Sequence, residues 1–273
     1  MPRDRILVTV KTYPTLSQKY GELVCTAGIR ENGSWVRLYP IPFRRLNEAD
    51  RYNKYDWIET AITKSRSDHR PETYRLNDPE DMEKIGHVDT SNKWSERRRL
   101  LLREKSVYTE LKPILKGAKA NSLSLATFKP AQIIDFVWKA CDREWDQKKL
   151  DAIRNKTMQG KLFPSDEWQK TFKVIPKLPY EFSYKFVDAS GRKSEMQVLD
   201  WECGQLYWNC LKSAGGDELI ALAKVKEKYF EEFIKRELHF FLGTIRQFHG
   251  FSPNPWVIIG VFPIPYEKQL PLL

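Results

Sequence analysis

Two constellations have residue types and spacing that could do chemistry. The first is Asp200-Trp201-Glu202, within the run LDWECG. Read as a strand, this run places both carboxylates on one face, because side chains alternate along a strand. Paired carboxylates of this kind could hold a divalent cation in a nuclease. The usual nuclease pattern adds a lysine two residues after the acid, and Gly204 stands there instead. Glu110-Leu111-Lys112 has that spacing, but it falls in a predicted helix. A metal-dependent nuclease using Asp200 and Glu202 is therefore the alternative reading, and a non-catalytic protein is favoured. Cys203, Cys210, His239 and His249 lack the close spacing of a zinc site. No Gly-rich phosphate loop, dinucleotide fingerprint or nucleophile elbow occurs, so the sequence implies no metal and no cofactor.

The second constellation is Trp35, Arg37 and Tyr39, in the stretch VCTAGIRENGSWVRLYPIPFRRL. Asn32-Gly33 is a strong hairpin signal, since both residues of a two-residue turn need positive φ. That turn sets a register pairing Arg30 with Trp35, Gly28 with Arg37 and Thr26 with Tyr39. One face is then Cys25, Ala27, Ile29, Val36 and Leu38, small or apolar throughout, and reads as core. The other carries Thr26, Gly28, Arg30, Trp35, Arg37 and Tyr39. Aromatics alternating with arginines resemble a base-stacking platform. A guanidinium beside a ring can stack or contact phosphate, and Gly28 would leave room above Arg37 for a ligand backbone. The competing reading is that a helix covers this face and the arginines reach out at its edge.

More positive charge surrounds the hairpin. Arg44, Arg45, Arg51 and Lys54 follow it, and Lys64, Arg66, Arg70 and Arg75 gather around His69. Guanidiniums crowded at a turn suit phosphate, because each fork grips two oxygens. The alternative is a solvated loop with local pairs to Asp68 and Glu72. Arg97, Arg98, Arg99 and Arg103 form a third cluster, with Arg99 and Arg103 four apart on a predicted helix. They would track a phosphate backbone or line a solvated helix face.

The whole chain frames these sites. It has 273 residues, a net charge of +10, 41% hydrophobic and 13% aromatic residues, enough for a real core and unlike a disordered chain. The excess of positive charge favours a polyanionic partner, nucleic acid above all. Four scattered cysteines suit a reducing compartment, and no apolar stretch is long enough for a membrane span or signal peptide. The expectation is a soluble, cytoplasmic protein with no membrane partner.

The elements that must position the sites read as α+β. Strands are predicted at Ile6 to Val10, Leu23 to Arg30, Ser34 to Tyr39 and Asp56 to Lys64, with Pro40 and Pro42 ending strand pairing. Residues 76 to 93 read as a loop or short helix. A basic helix follows, capped by Ser95 and kinked or divided at Pro113. Ile133 to Asp142 reads as a strand, and the charged run from Arg143 as a helix. A second hairpin spans 180–202. A long helix is predicted over 217–242, capped by Asp217 and buried through Leu219, Leu222, Val225, Phe230, Phe233 and Ile234. Trp256 to Phe262 reads as a buried strand. The predicted organisation is a β-rich binding part with a basic helix over 1–120 and an α+β part over 121–273, or one integrated domain. The first part suggests a small PUA-like or OB-like barrel by analogy.

The phrases KTYPTLSQKYGELVCTAGI, WVRLYPIPFR, DHRPETYR and LDWECGQLY resemble an uncharacterised bacterial family found beside mobile-element and phage-defence genes. The resemblance implies a role in handling foreign nucleic acid and assigns no residue a function. The expected function is non-catalytic recognition of DNA or RNA, with a partner effector. The expected contacts are Arg30, Trp35, Arg37, Tyr39, Arg44, Lys54, Arg66, Arg70, Arg99 and Arg103. A protein–protein scaffold of a defence complex is the third reading.

Overall fold

The computed structural model describes residues 3–17, 21–41, 43, 51–78, 81–158 and 174–266. Arg44 and Arg45 lie outside the described residues. The fold is α+β, built on two large sheets.

The first sheet uses β1 (Asp4–Lys11), β2 (Thr15–Ser17), β3 (Gly21–Arg30), β4 (Trp35–Ile41), β5 (Asp56–Thr60), β6 (Ile62–Lys64), β7 (Thr73–Leu76) and β8 (Glu83–His87). Their order is β6-β7-β4-β3-β1-β5-β8, with β2 also paired to β3. The sheet curls as a half-barrel over its own core, which includes Ile6, Val8, Val36, Leu38, Tyr52 and Ile58. The expected strand from Asp56 to Lys64 is split at Ala61, and the segment expected as loop or short helix contains β8.

The chain then runs through α1 (Ser91–Leu101), β9 (Val107–Tyr108), α2 (Leu111–Lys119), β10 (Leu125–Phe128), β11 (Gln132–Ala140) and α3 (Gln147–Met158). The single basic helix expected here is two. A left-handed bend at Asn92, Lys93 and Trp94 opens α1, and Lys105 is also at positive φ between the helices. Pro113 does not kink α2. It sits in the first turn, where backbone N–H groups have no intrahelical partner anyway.

The last part is β12 (Tyr180–Val187), β13 (Lys193–Val198), α4 (Trp201–Ser213), α5 (Glu218–Lys226), β14 (Glu237–Thr244) and β15 (Trp256–Ile264). The second sheet has the order β11-β12-β13-β15-β14-β10-β9. Asp217 caps α5, accepting from Ile220 N at 3.0 Å. The predicted long helix does not reach residue 242. It loosens into a π-turn over Glu227–Glu232 and a 3-10 turn over Phe233–Lys235, and Glu237–Thr244 is a strand. The reason is burial on both faces. Every residue from Leu238 to Thr244 is buried between neighbours β15 and β10, so the strand shows no polar alternation and its apolar run mimics a helix. Leu219 and Ile234, expected in the buried stripe, are exposed, whereas Leu222 and Val225 are buried.

The opening hairpin departs from its expected register by one residue. Ile29 pairs with Trp35, Gly28 with Val36, Ala27 with Arg37 and Thr26 with Leu38. The turn holds three residues rather than two, closed by Arg30 N donating to Ser34 O and Gly33 N to Arg30 O, with Gly33 at φ +85°. Because strand side chains alternate, a one-residue slip moves one strand's side chains to the other face. Ala27, Ile29, Trp35 and Arg37 therefore share a face, and Val36 and Leu38 point into the half-barrel.

The Trp35 and Arg37 face is covered by the second sheet, and Leu100 and Leu101 of α1 join the same core beside Trp35. Leu7, Val10, Ala27 and Ile29 pack against Leu125, Phe241, Val257 and Ile259 across the seam between the sheets. Trp35 meets Phe241 edge-on at 5.5 Å between ring centroids. The space above Gly28 is filled by the β1 backbone at Leu7, not left open for a ligand. The other face of the second sheet packs on α2, α4 and α5.

Candidate functional site

The seam holds a cavity of about 820 Å³ that is open to solvent on one side. The first sheet supplies Arg37, Tyr39 and Cys25, and the 65–72 turn supplies His69 and Arg70. The second sheet and the loop after β14 supply Thr244, Arg246, Gln247 and Phe251, and α3 adds Lys149. Among the described lining residues, Arg37, Arg70, Lys149 and Arg246 are basic and none is acidic.

Arg37 defines the site's electrostatics. It is 1% exposed. Its Nη1 donates to Thr73 Oγ1 at 3.1 Å and Ser124 Oγ at 2.7 Å, and its Nη2 donates to Ser124 O at 2.8 Å. All three acceptors are neutral. Among the described residues no carboxylate lies within ion-pair distance of it. Glu72 meets Arg37 through the backbone, Arg37 N donating to Glu72 O at 2.7 Å, and through Ser124, whose N–H donates to both Glu72 carboxylate oxygens. Burial, and next the charge of Arg70, push Arg37 down to about 10. It therefore stays a cation at neutral pH. A buried cation lacking an adjacent anion is costly and favours any anion that can reach it.

Arg70 is 5% exposed, and it differs in being paired. Asp68 takes its Nε at 2.9 Å and its Nη2 at 2.6 Å, and Nη1 donates to Thr244 O. Arg246 is exposed and donates to Ser67 O, so it sits at the rim. Phe251, 85% exposed, is also at the rim. Tyr39 is half-buried, and burial pushes its phenol up. The buried Thr244 hydroxyl has no hydrogen-bond partner. Just behind the His69 turn, His249 Nε2 donates to Asn121 Oδ1 at 2.8 Å, which leaves its buried Nδ1 unpartnered. Asn121 Nδ2 donates to His69 O at 3.2 Å, which orients the amide.

Three residues singled out from the sequence, Arg37, Tyr39 and Arg70, thus line one cavity. The others are elsewhere. Arg30 is bonded to Asp4 and lies over Tyr74 at 4.8 Å. Trp35 is in the seam core, so the surface stacking platform expected from Trp35, Arg37 and Tyr39 does not exist. Arg66 is exposed. Arg99 is exposed and bonded to Glu96 at 2.6 Å. Arg103 lies past the end of α1, so it is no i,i+4 partner of Arg99, and it donates to Glu31 O at 2.6 Å over the hairpin turn. Thr244, Arg246 and Phe251 went unnoticed in the sequence. The RQFHGF run between two apolar strands was the available signal.

Lys54, Asp200 and Glu202 converge at a second place. Asp200 is not on a strand. It caps α4, accepting from Glu202 N at 3.1 Å, and its Oδ2 accepts from Val261 N at 3.2 Å. Lys54 Nζ lies 2.8 Å from Asp200 Oδ2 and 2.9 Å from Glu202 Oε2, so an ammonium already bridges the two carboxylates. Burial alone would lower the Lys54 pKa, but Asp200 and then Glu202 outweigh it and hold the ammonium above its ordinary value. Beside it, burial and then the charge of Lys54 lower Lys11, whose Nζ lies 4.7 Å from the Phe43 ring and 5.4 Å from that of Trp201. Among the described residues no three His, Cys, Asp or Glu side chains gather as a metal site would require. Among them, too, no helix is long and apolar enough to cross a membrane.

Comparison with known proteins gives families rather than activities. No curated protein matches the chain. A solved structure of a murine DNA binding protein bound with ds DNA is similar at 8% identity and a TM-score of 0.33, over 99% of this chain and 98% of that one. A likeness that distant carries no argument. Residues 2–103 match the domain of unknown function DUF8758. Residues 108–272, more than half of the chain, match the domain of unknown function DUF8757, and the chain belongs to that family.

Proposed function

We propose that this is a non-catalytic nucleic-acid-binding protein whose site is the cationic seam cavity. The observation that carries the reading is Arg37, a buried cation whose guanidinium bonds no carboxylate among the described residues, lining a cavity whose described lining adds three further basic residues and no acidic one. A phosphate is the anion such a site suits, because guanidinium forks match its oxygens. The overall charge of +10 extends the attraction beyond the cavity, as a polyanionic strand requires. The curled first sheet would serve as a PUA-like or OB-like half of the binding surface, and the second sheet would close the cavity over it. The protein would act by recognition, presenting the strand to a partner effector.

The metal-dependent nuclease reading is less well supported. Its two carboxylates hold Lys54, and Asp200 spends further acceptor capacity on Glu202 N and Val261 N. Fluorescence anisotropy of labelled single-stranded and duplex oligonucleotides over a range of salt tests the proposal. Binding that weakens steeply with salt is expected, because bound phosphates release counterions. Affinity that is flat from low to moderate salt, or no binding at low salt, contradicts it.

A further inference from the structure

The cavity also bears on what form the nucleic acid takes when bound. Arg37 is 1% exposed, so nothing as broad as a duplex backbone can touch it from outside. The cavity of about 820 Å³ is in the size range of small-ligand sites, not of grooves that accept a double helix. Its chemistry is mixed in a specific way. Arg37 and Arg246 offer charge, Tyr39 and Phe251 offer ring faces, and Thr244 offers a buried hydroxyl with no partner. An inorganic anion would leave the rings and the hydroxyl unused. A purely aromatic ligand would leave the cation uncompensated. A nucleotide uses all three, through its phosphate, its stacking base and the polar edge of that base.

We infer that the seam cavity seats a single unstacked nucleotide of a bound strand, its phosphate toward Arg37 and Arg246 and its base against Tyr39 or Phe251. The inference rests on the nucleic-acid reading above for the source of that nucleotide. It has a direct consequence for specificity. A paired base must first leave its stack, which costs least when the base is mismatched, bulged or already single-stranded. The protein therefore discriminates by pairing state before it discriminates by sequence.

The test uses the full chain with three oligonucleotides of one sequence carrying 2-aminopurine: a single strand, a duplex with the probe in a one-base bulge, and a fully paired duplex. Single-stranded and bulged probes should bind at least about tenfold more tightly than the paired duplex. The bulged probe's fluorescence should change on binding as its base leaves its neighbours. Phe251→Ala changes a side chain that is 85% exposed, so the variant should fold. It should shrink the preference while keeping salt-dependent binding. Thr244→Val, which replaces the unpartnered hydroxyl by a methyl of similar size, should narrow discrimination among bases without lowering stability.

A competition arm with adenosine monophosphate separates a free nucleotide from one within a strand. Displacement of the bound strand by the mononucleotide, weakened in Phe251→Ala, supports the seat. Equal affinity for all three probes with unchanged fluorescence overturns the inference and leaves the nucleic-acid reading standing. Uptake of the mononucleotide with no binding of any strand overturns that reading, and the strand source with it.

Discussion

The protein buries positive charge in two places and treats it in opposite ways. Lys54 is 7% exposed and has Asp200 and Glu202 within 2.9 Å. Arg37 is 1% exposed, and among the described residues its guanidinium bonds two hydroxyls and a carbonyl and no carboxylate. The first arrangement is complete. Its ammonium has a carboxylate on either side, and Asp200 also ties β15 to the start of α4. In the second, among the described residues, no carboxylate bonds the guanidinium, which is packed against Thr73 and Ser124 at the wall of the cavity. The Lys54 arrangement is structural, whereas the Arg37 arrangement, beside a cavity, is the feature on which the proposed site rests. The carboxylates that looked most like chemistry in the sequence belong to the complete arrangement. Two of the three platform residues, Arg37 and Tyr39, belong to the other one.

The contrast can be broken at the Lys54 end first. Asp200→Ala leaves a buried ammonium with only the exposed Glu202, and removing one partner of a buried pair costs about 3–5 kcal/mol. Urea denaturation should show that loss, and a change below about 1 kcal/mol would mean the pair is not structural. Arg37→Met is the matching change at the other end. It removes a cation that no adjacent anion compensates and leaves hydroxyls free to turn elsewhere, so it should cost less than about 2 kcal/mol. Equal losses in the two variants would erase the distinction.

A third difference concerns pH. Burial pushes both His239 and His249 down to about 4 from the ordinary 6.5, and at His249 the charge of Arg70 is the next cause. The unfolded chain binds more protons than the folded one between those values, so stability is full above pH 6.5 and falls as pH drops toward 4. An anion in the cavity offsets the charge that Arg70 and Arg37 exert on His249. Added oligonucleotide should therefore raise the His249 pKa in an NMR titration and leave His239 where it was. A parallel rise at both would point to a general rather than a local effect.

Smaller effects are expected at the rims. Arg246→Glu should lower affinity for every sequence alike and flatten the salt slope by about one unit. Glu202→Gln touches a side chain that is 60% exposed, so its loss should stay under about 1 kcal/mol even though it contacts Lys54.

The sequence showed part of this and concealed the rest for identifiable reasons. Asn32-Gly33 marked the turn correctly, but not that Glu31 joins it. That one residue moved Trp35 and Arg37 onto the face of Ala27 and Ile29. Burial on both faces erased the alternation that would have separated β14 from the helix before it. Asp200 could be read as a strand carboxylate because the end of β13 and the cap of α4 are only two residues apart. Arg37 and Arg70 stood out as arginines near aromatics. That Arg246 and Phe251 would join them depends on one sheet lying across the other, which local pattern does not encode.

Arg37 is the proposed anchor of an anionic strand in the seam cavity. The most direct test is calorimetric titration of a short single-stranded oligonucleotide into the wild-type protein and into Arg37→Met, each first shown to be folded by circular dichroism. Wild-type binding should weaken with salt, and the folded variant should bind at least about tenfold less tightly. A folded Arg37→Met protein that binds the strand as tightly as wild type would contradict the proposal.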